Sequence, residues 1–226
     1  MKAFISLLTL VCLCVSAYAQ ESVFNVPSGD ILDRGKVYAE LDVTYQHSQD
    51  LAGFTPRVVV GLGKRIEAGV NINGVNTDMA QSNITPTVKW KAYDGKKNGW
   101  AFLVGDDVFV PVQNRTYDAG NYVYAEFVKS SQSGTRVTFG GYHFTRDVVA
   151  RAQRAGGQFA FEQNLNIRIT FATDWYTSGH ALGYVTPGLI LKATPKLTLY
   201  GTYQIGNRGA SDGNHQLLVE LGWNVN

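Results

Sequence analysis

The sequence predicts an all-β protein: a closed, antiparallel, up-and-down transmembrane β-barrel of about twelve strands. Three observations lead there. Apolar and polar residues alternate with a period of two through long stretches, the signature of strands with two different faces. The alternating runs are roughly twice the ~5–6 residues usual in soluble domains. After the N-terminal leader, no apolar run reaches the ~18 residues of a membrane helix, and no stretch carries a helical period.

The leader itself is residues 1–19, read as a signal peptide. Lys2 is the basic start, residues 3–15 are almost unbroken apolar, and Ala17-Tyr18-Ala19 supplies the small-x-small cleavage pattern. Residues 20–226 are then one β-barrel domain. Cys12 and Cys14 both fall in the leader, so the exported chain is expected to carry no disulfide. Val11 and Leu13 precede them, where a lipoprotein site needs a small residue. Charged residues make up 17% of the chain and the net charge is +2, which argues against a nucleic-acid partner.

The strands follow in order. In 36–47, Val37, Ala39, Leu41, Val43 and Tyr45 oppose Tyr38, Glu40, Asp42 and Thr44. Runs 54–63 and 66–75 meet at Gly63-Lys64-Arg65; runs 82–92 and 99–109 are joined across Asp94–Asn98. Next come 119–130 and 135–145, joined by Ser131–Gly134, although 99–109 and 119–130 alternate less cleanly and leave Asp106, Asp107 and Glu126 without a face. Runs 154–162 and 165–175 turn at Gln163-Asn164, the second setting Ile167, Ile169, Phe171 and Trp175 against Arg168, Thr170 and Asp174. Runs 181–193 and 196–205 turn at Thr194-Pro195, and 214–225 closes the series with Leu217, Val219, Leu221 and Trp223 opposite Leu218 and Glu220. Longer connections at 48–53, 76–81, 110–118, 146–153, 176–180 and 206–213 alternate with these tight turns, the pattern of a meander. Pro56, Pro86 and Pro187 fall inside runs and are expected at strand ends or bulges.

Closure removes the two exposed edges of such a meander, and strands of this length suit a tilted crossing of hydrocarbon. Only alternate residues then need be apolar, which reconciles a spanning chain with a mean hydropathy of −0.10. Tyr45, Phe54, Trp90, Trp100, Phe109, Phe144, Trp175 and Trp223 stand near strand ends as interfacial girdles. Lys36 to Val225 resembles the bacterial outer-membrane β-barrel class in architecture, and His215–Asn226 is similar to the C-terminal assembly strand of such proteins, though it ends in Asn226 and not in an aromatic. That resemblance implies location in the outer membrane, lipid as the surrounding partner, and help from the barrel-assembly machinery during biogenesis.

On the inward face the alternation places Tyr38, Glu40, Asp42, Arg57, Glu67, Lys89, Arg136, Glu162, Arg168, Asp174 and Glu220, which are the pore-lining residues expected. A polar wall of both signs fits a porin-like channel for passive passage of small hydrophilic solutes. It fits equally a plugged structural or adhesive barrel whose charges pair with one another. A third reading, an outer-membrane lipid acyl hydrolase, rests on His143 and Thr145, two apart and so on one face, an imidazole beside a hydroxyl. Sequence favours a non-enzyme: HExxH, CxxC, P-loop and Rossmann patterns are absent, and no cofactor or metal is expected. Asp106 and Asp107 are adjacent strand residues that face opposite ways and cannot chelate together.

Overall fold

A computed structural model describes residues 20–76, 82–112, 118–149 and 153–226. The expected leader, with Cys12, Cys14 and the Ala17-Tyr18-Ala19 site, lies outside the described residues, as do parts of three long connections.

Twelve strands follow the predicted order: β1 Val37–Gln46, β2 Leu51–Gly63, β3 Ile66–Asn73, β4 Asn83–Gly95, β5 Trp100–Pro111, β6 Gly120–Ser130, β7 Thr135–Phe144, β8 Ala155–Asn164, β9 Ile169–Tyr176, β10 Tyr184–Lys192, β11 Leu197–Gly206 and β12 Gln216–Asn224. A two-residue piece, Val75–Asn76, continues β3 past Gly74 and pairs with β2. A single helical turn, α1 (Arg146–Val149), follows β7. Each strand pairs antiparallel with its sequence neighbours, and β1 pairs with both β2 and β12, so the sheet has no free edge. At the β2–β3 hairpin, Lys64 and Arg65 both take the left-handed conformation (φ 53° and 65°) that matches the strand twist across a two-residue turn.

The period of two holds around the barrel. Outward positions carry Leu41, Val58, Val70, Val88, Phe127, Phe161, Leu189, Leu199, Val219 and Leu221, a continuous apolar surface. Tyr45, Phe54, Trp90, Trp100, Trp175 and Trp223 also face out and are exposed. Phe109 and Phe144 do not: both pack into an inner aromatic cluster with Tyr122, Tyr124, Tyr142 and Tyr176. Their place near strand ends was right, but parity along the strand puts them on the inner face.

Two further expectations are corrected. Residues 165–168 form the β8–β9 turn and not the start of a strand, so Ile167 and Arg168 are exposed turn residues on neither face of the wall. The prolines sit in mid-strand and face outward. Pro56, Pro86 and Pro187 pair opposite Leu41, Val70 and Thr173 on one side, while the ladder on the other side skips them. An antiparallel residue offers its N–H to one neighbour only, so each proline interrupts a single ladder and leaves the other intact. Each follows a threonine, Thr55, Thr85 or Thr186, whose side chain points inward.

Candidate functional site in the barrel lumen

The chain preceding β1, a short stretch the sequence reading left without a role, runs inside the barrel. Val23, Phe24, Val26 and Ser28 are buried. They form a hairpin: Ser22 bridges Pro27, the Val23 N–H donates to the Val26 carbonyl (2.8 Å) and the Ser28 N–H to that of Glu21 (3.0 Å). Its apolar side chains join the Tyr122–Tyr142–Tyr176 cluster. Phe24 lies against β10: a Cβ at Gly188 would come within 2.9 Å of its ring, and within 2.5 Å of Thr202 Cβ on β11, so glycine is needed there.

Asp174 clamps the tip. One carboxylate oxygen accepts three consecutive backbone N–H groups, from Phe24 (3.1 Å), Asn25 (2.5 Å) and Val26 (2.8 Å), and the other accepts from Asn25 Nδ2 (3.2 Å). A nest of successive N–H groups is an anion site, and here the anion belongs to the wall. Asn25 Nδ2 also reaches Thr186 Oγ1 (2.8 Å), while Tyr176 donates its hydroxyl to the Asn25 carbonyl (2.8 Å) and Gln204 its amide to Asn25 Oδ1 (2.7 Å).

Three ionic groups tie the rest of the segment down. Lys89 binds Glu67 (2.9 Å) and donates to the Glu21 carbonyl (2.9 Å), while Glu67 accepts the Leu32 N–H (2.8 Å). Arg136 joins Asp30 (2.9 Å) to Glu162 through a bidentate contact. Arg57 reaches Asp42 (2.6 Å), Glu40 (3.7 Å) and Glu21 (3.7 Å). Below these, Leu32 and Asp33 cross so near Gly61 that a Cβ there would meet the Asp33 carbonyl oxygen at 2.1 Å.

The structure thus gathers Tyr38, Glu40, Asp42 and Glu220 on the β1–β12 side, Arg57, Glu67 and Lys89 on β2–β4, and Arg136, Glu162 and Asp174 on β7–β9, all with inward side chains. Arg168 is not among them. Sequence reasoning missed the partners of these groups, Glu21, Asn25 and Asp30, because they lie in a non-strand segment whose position no periodicity gives, and the N–H donors to Asp174 leave no residue-type signal. A weak one existed: Val23, Phe24 and Val26 are apolar residues outside any alternating run. Of the residues without an assigned face, Glu126 is inward and accepts from Gln158 Nε2 (2.7 Å), and Asp107 lines the lumen. Asp106 points out, held by Asn121 Nδ2 at 3.0 Å.

A cavity of about 460 Å³ runs beside the hairpin, bounded by the β1–β5 wall, Phe109 included, and, across from it, by Tyr122, Tyr124, Phe144 and Tyr176. Thr44, Thr55, Asn71, Asn73, Thr85, Thr87 and Asp107 line it, with Asp42, Arg57, Glu67 and Lys89 deeper in. It reaches the end of the barrel that carries the longer connections, where Val148, Ala181 and Leu182 border it. The connection there is built on buried His180, whose Nε2 meets the Tyr142 hydroxyl (2.7 Å) and whose Nδ1 accepts the Leu182 N–H (3.1 Å). Burial pushes this imidazole down to about 4.

His143 is outward and exposed. Thr145 Oγ1 accepts the Asn121 N–H (3.0 Å), and among the described residues no hydrogen bond joins it to His143.

No family model matches the sequence, and no curated protein does. Among solved structures the fold is similar to the NanC porin (TM-score 0.61, 13% identity, 82% of this chain and 98% of that one). It is similar also to an outer membrane channel from Pseudomonas putida F1 (TM-score 0.58, 13% identity, 88% and 99%). The outer membrane phospholipase A of Escherichia coli shares it too (TM-score 0.51, 12% identity, 86% and 94%).

Proposed function

We propose that this twelve-strand barrel is a porin-like outer-membrane channel for small hydrophilic solutes, narrowed by its own N-terminal hairpin. The observation that carries the reading is the cavity running beside the hairpin from the long-connection end, with hydroxyls, amides and charges on its β1–β5 side and aromatic side chains on the other. A barrel serving only as an anchor has no use for such a surface, and polar side chains within a membrane are costly without water or partners.

The membrane setting rests on the outer face. Leucine, valine and aromatic residues cover it on every strand, far more exposed apolar surface than a water-soluble monomer carries. In lipid that surface is the stable one, and closure pairs the backbone of the wall from strand to strand, save for the single ladder that each of Pro56, Pro86 and Pro187 interrupts. Removal of residues 1–19 on export, with the tight turns facing the periplasm, completes the reading. The likeness to two channels supports it.

The acyl-hydrolase reading draws on the likeness to the phospholipase and on outward His143, but the hydroxyl two residues on is engaged by a backbone N–H and not by the imidazole. The test is conductance of the purified full chain in a planar bilayer. Discrete openings whose ion selectivity shifts on Asp107→Asn, a cavity carboxylate, support the channel. A folded but silent barrel, even after residues 22–28 are deleted, overturns it in favour of a plugged structural barrel. Fatty-acid release from phospholipid that is lost in His143→Ala overturns it in favour of the hydrolase.

A further inference from the structure

We propose that Glu40, Asp42 and Glu220 form a binding site for a divalent cation of the calcium class, set across the seam where the barrel closes. One oxygen from each carboxylate lies within 4.8 Å of the others, and all three side chains are buried. A calcium ion at its usual ~2.4 Å from two oxygens spans about that separation.

Register builds the cluster. Glu40 and Asp42 share the inner face of β1, and Asp42 stands directly opposite Glu220 on β12. Like charges placed directly opposite on adjacent strands destabilise the pair, and this pair is part of the last ladder to close the barrel. Local donors do not resolve the conflict. The Tyr38 hydroxyl is spent on Glu40 (2.5 Å), and the Tyr200 hydroxyl, opposite Glu220, meets Tyr38 (3.2 Å). Arg57 reaches Asp42 and Glu40 but is shared with Glu21.

Glu220 is left at 1% exposure with neither carboxylate oxygen hydrogen-bonded. One oxygen of Glu40 and one of Asp42 are likewise without a donor. An unpaired buried carboxylate costs several kcal/mol. Three carboxylates face one guanidinium that Glu21 also draws on, so at least two negative charges remain for a dication to offset. The ligand set is oxygen alone, the choice of hard cations. A route in exists, since Asp42 lines the cavity that opens toward the long connections. The ion would staple β1 to β12 whether or not the lumen conducts solute.

The test uses the purified full chain in detergent, stripped of metal with a chelator. Terbium is the probe, because Tyr38 beside Glu40 sensitises its emission. The expected result is saturable terbium luminescence, displaced by calcium and lost in Glu220→Gln, with calcium raising the melting temperature of the parent only. If Glu220→Gln does not fold, the double variant Tyr38→Phe with Tyr200→Phe takes its place, since both rings adjoin the site: calcium should still raise its melting temperature while sensitised emission falls. Absence of saturable emission from the parent, or emission unchanged in both variants, overturns the site. So does a metal-free Glu220→Gln chain as stable as the parent with calcium added while the parent binds no terbium, since a retained proton then neutralises the cluster.

Discussion

Replacing Asp174 with alanine should free the N-terminal hairpin while leaving the barrel intact. In the parent this carboxylate accepts three backbone N–H groups and the Asn25 amide from the hairpin tip. Hydrogen bonds to a charged acceptor contribute roughly 1.5–3 kcal/mol each, so the three backbone bonds alone amount to about 5 kcal/mol or more. Alanine also removes a buried charge, and relief of its desolvation offsets about 2–3 kcal/mol. A net loss of about 2–3 kcal/mol in docking remains, which is roughly a 30- to 150-fold rise in the undocked population. Hydrogen–deuterium exchange of the full chain in detergent reads this directly. Amides of residues 22–28 should exchange faster by about that factor, while those of β11 and β12 keep the parent rate. Unchanged protection at 22–28 would refute the clamp. An equal loss across the barrel strands would show instead that Asp174 holds the wall.

Leu199→Arg or Leu221→Arg, on the outer face, should cost about 2–4 kcal/mol in denaturant unfolding if the band lies in lipid. Thr202→Arg should be disruptive as well, because this inward residue is buried close to Phe24 at the hairpin, and deleting residues 22–28 should make it tolerable. Arg136→Met should destabilise by about 3–5 kcal/mol, since it strands Asp30 and Glu162 together, and a Glu162→Gln background should shrink the effect. His180 sets a pH dependence in its connection: its folded value is depressed from 6.5 to about 4, so docking is at full strength above pH 6.5 and is lost as pH falls toward 4. Protection at residues 177–183, corrected for the intrinsic pH dependence of amide exchange, should therefore fall between pH 7 and pH 5 in the parent and stay level in His180→Ala.

Much of this fold was legible in residue order. The strand series, the alternation of tight and long connections, and the outer faces of β1, β11 and β12 follow from period-two patterning, because a one-residue slip would turn every apolar side chain inward. The misplacements have two causes. Leu165 and Ile167 continue the β9 alternation on paper, but Asn166 Oδ1 accepts the N–H groups of Arg168 and Ile169 and makes that stretch a turn. Residue type and a place near strand ends put Phe109 and Phe144 in the girdle, whereas strand parity decides the face.

What the sequence by itself determined is the wall: long two-faced strands whose edges are removed only by closing on themselves. The contents of the lumen were decided in three dimensions. Nothing in the order of residues says that Asp174 meets the backbone of Phe24, Asn25 and Val26, about 150 positions away. Peptide N–H groups are the same in every residue but proline, and the contact exists only once the barrel has brought β9 round to the hairpin. The same holds for Glu220 facing Asp42, a meeting set by the register of the closing seam. Local periodicity encodes which way a side chain points, whereas closure and register decide what it finds there.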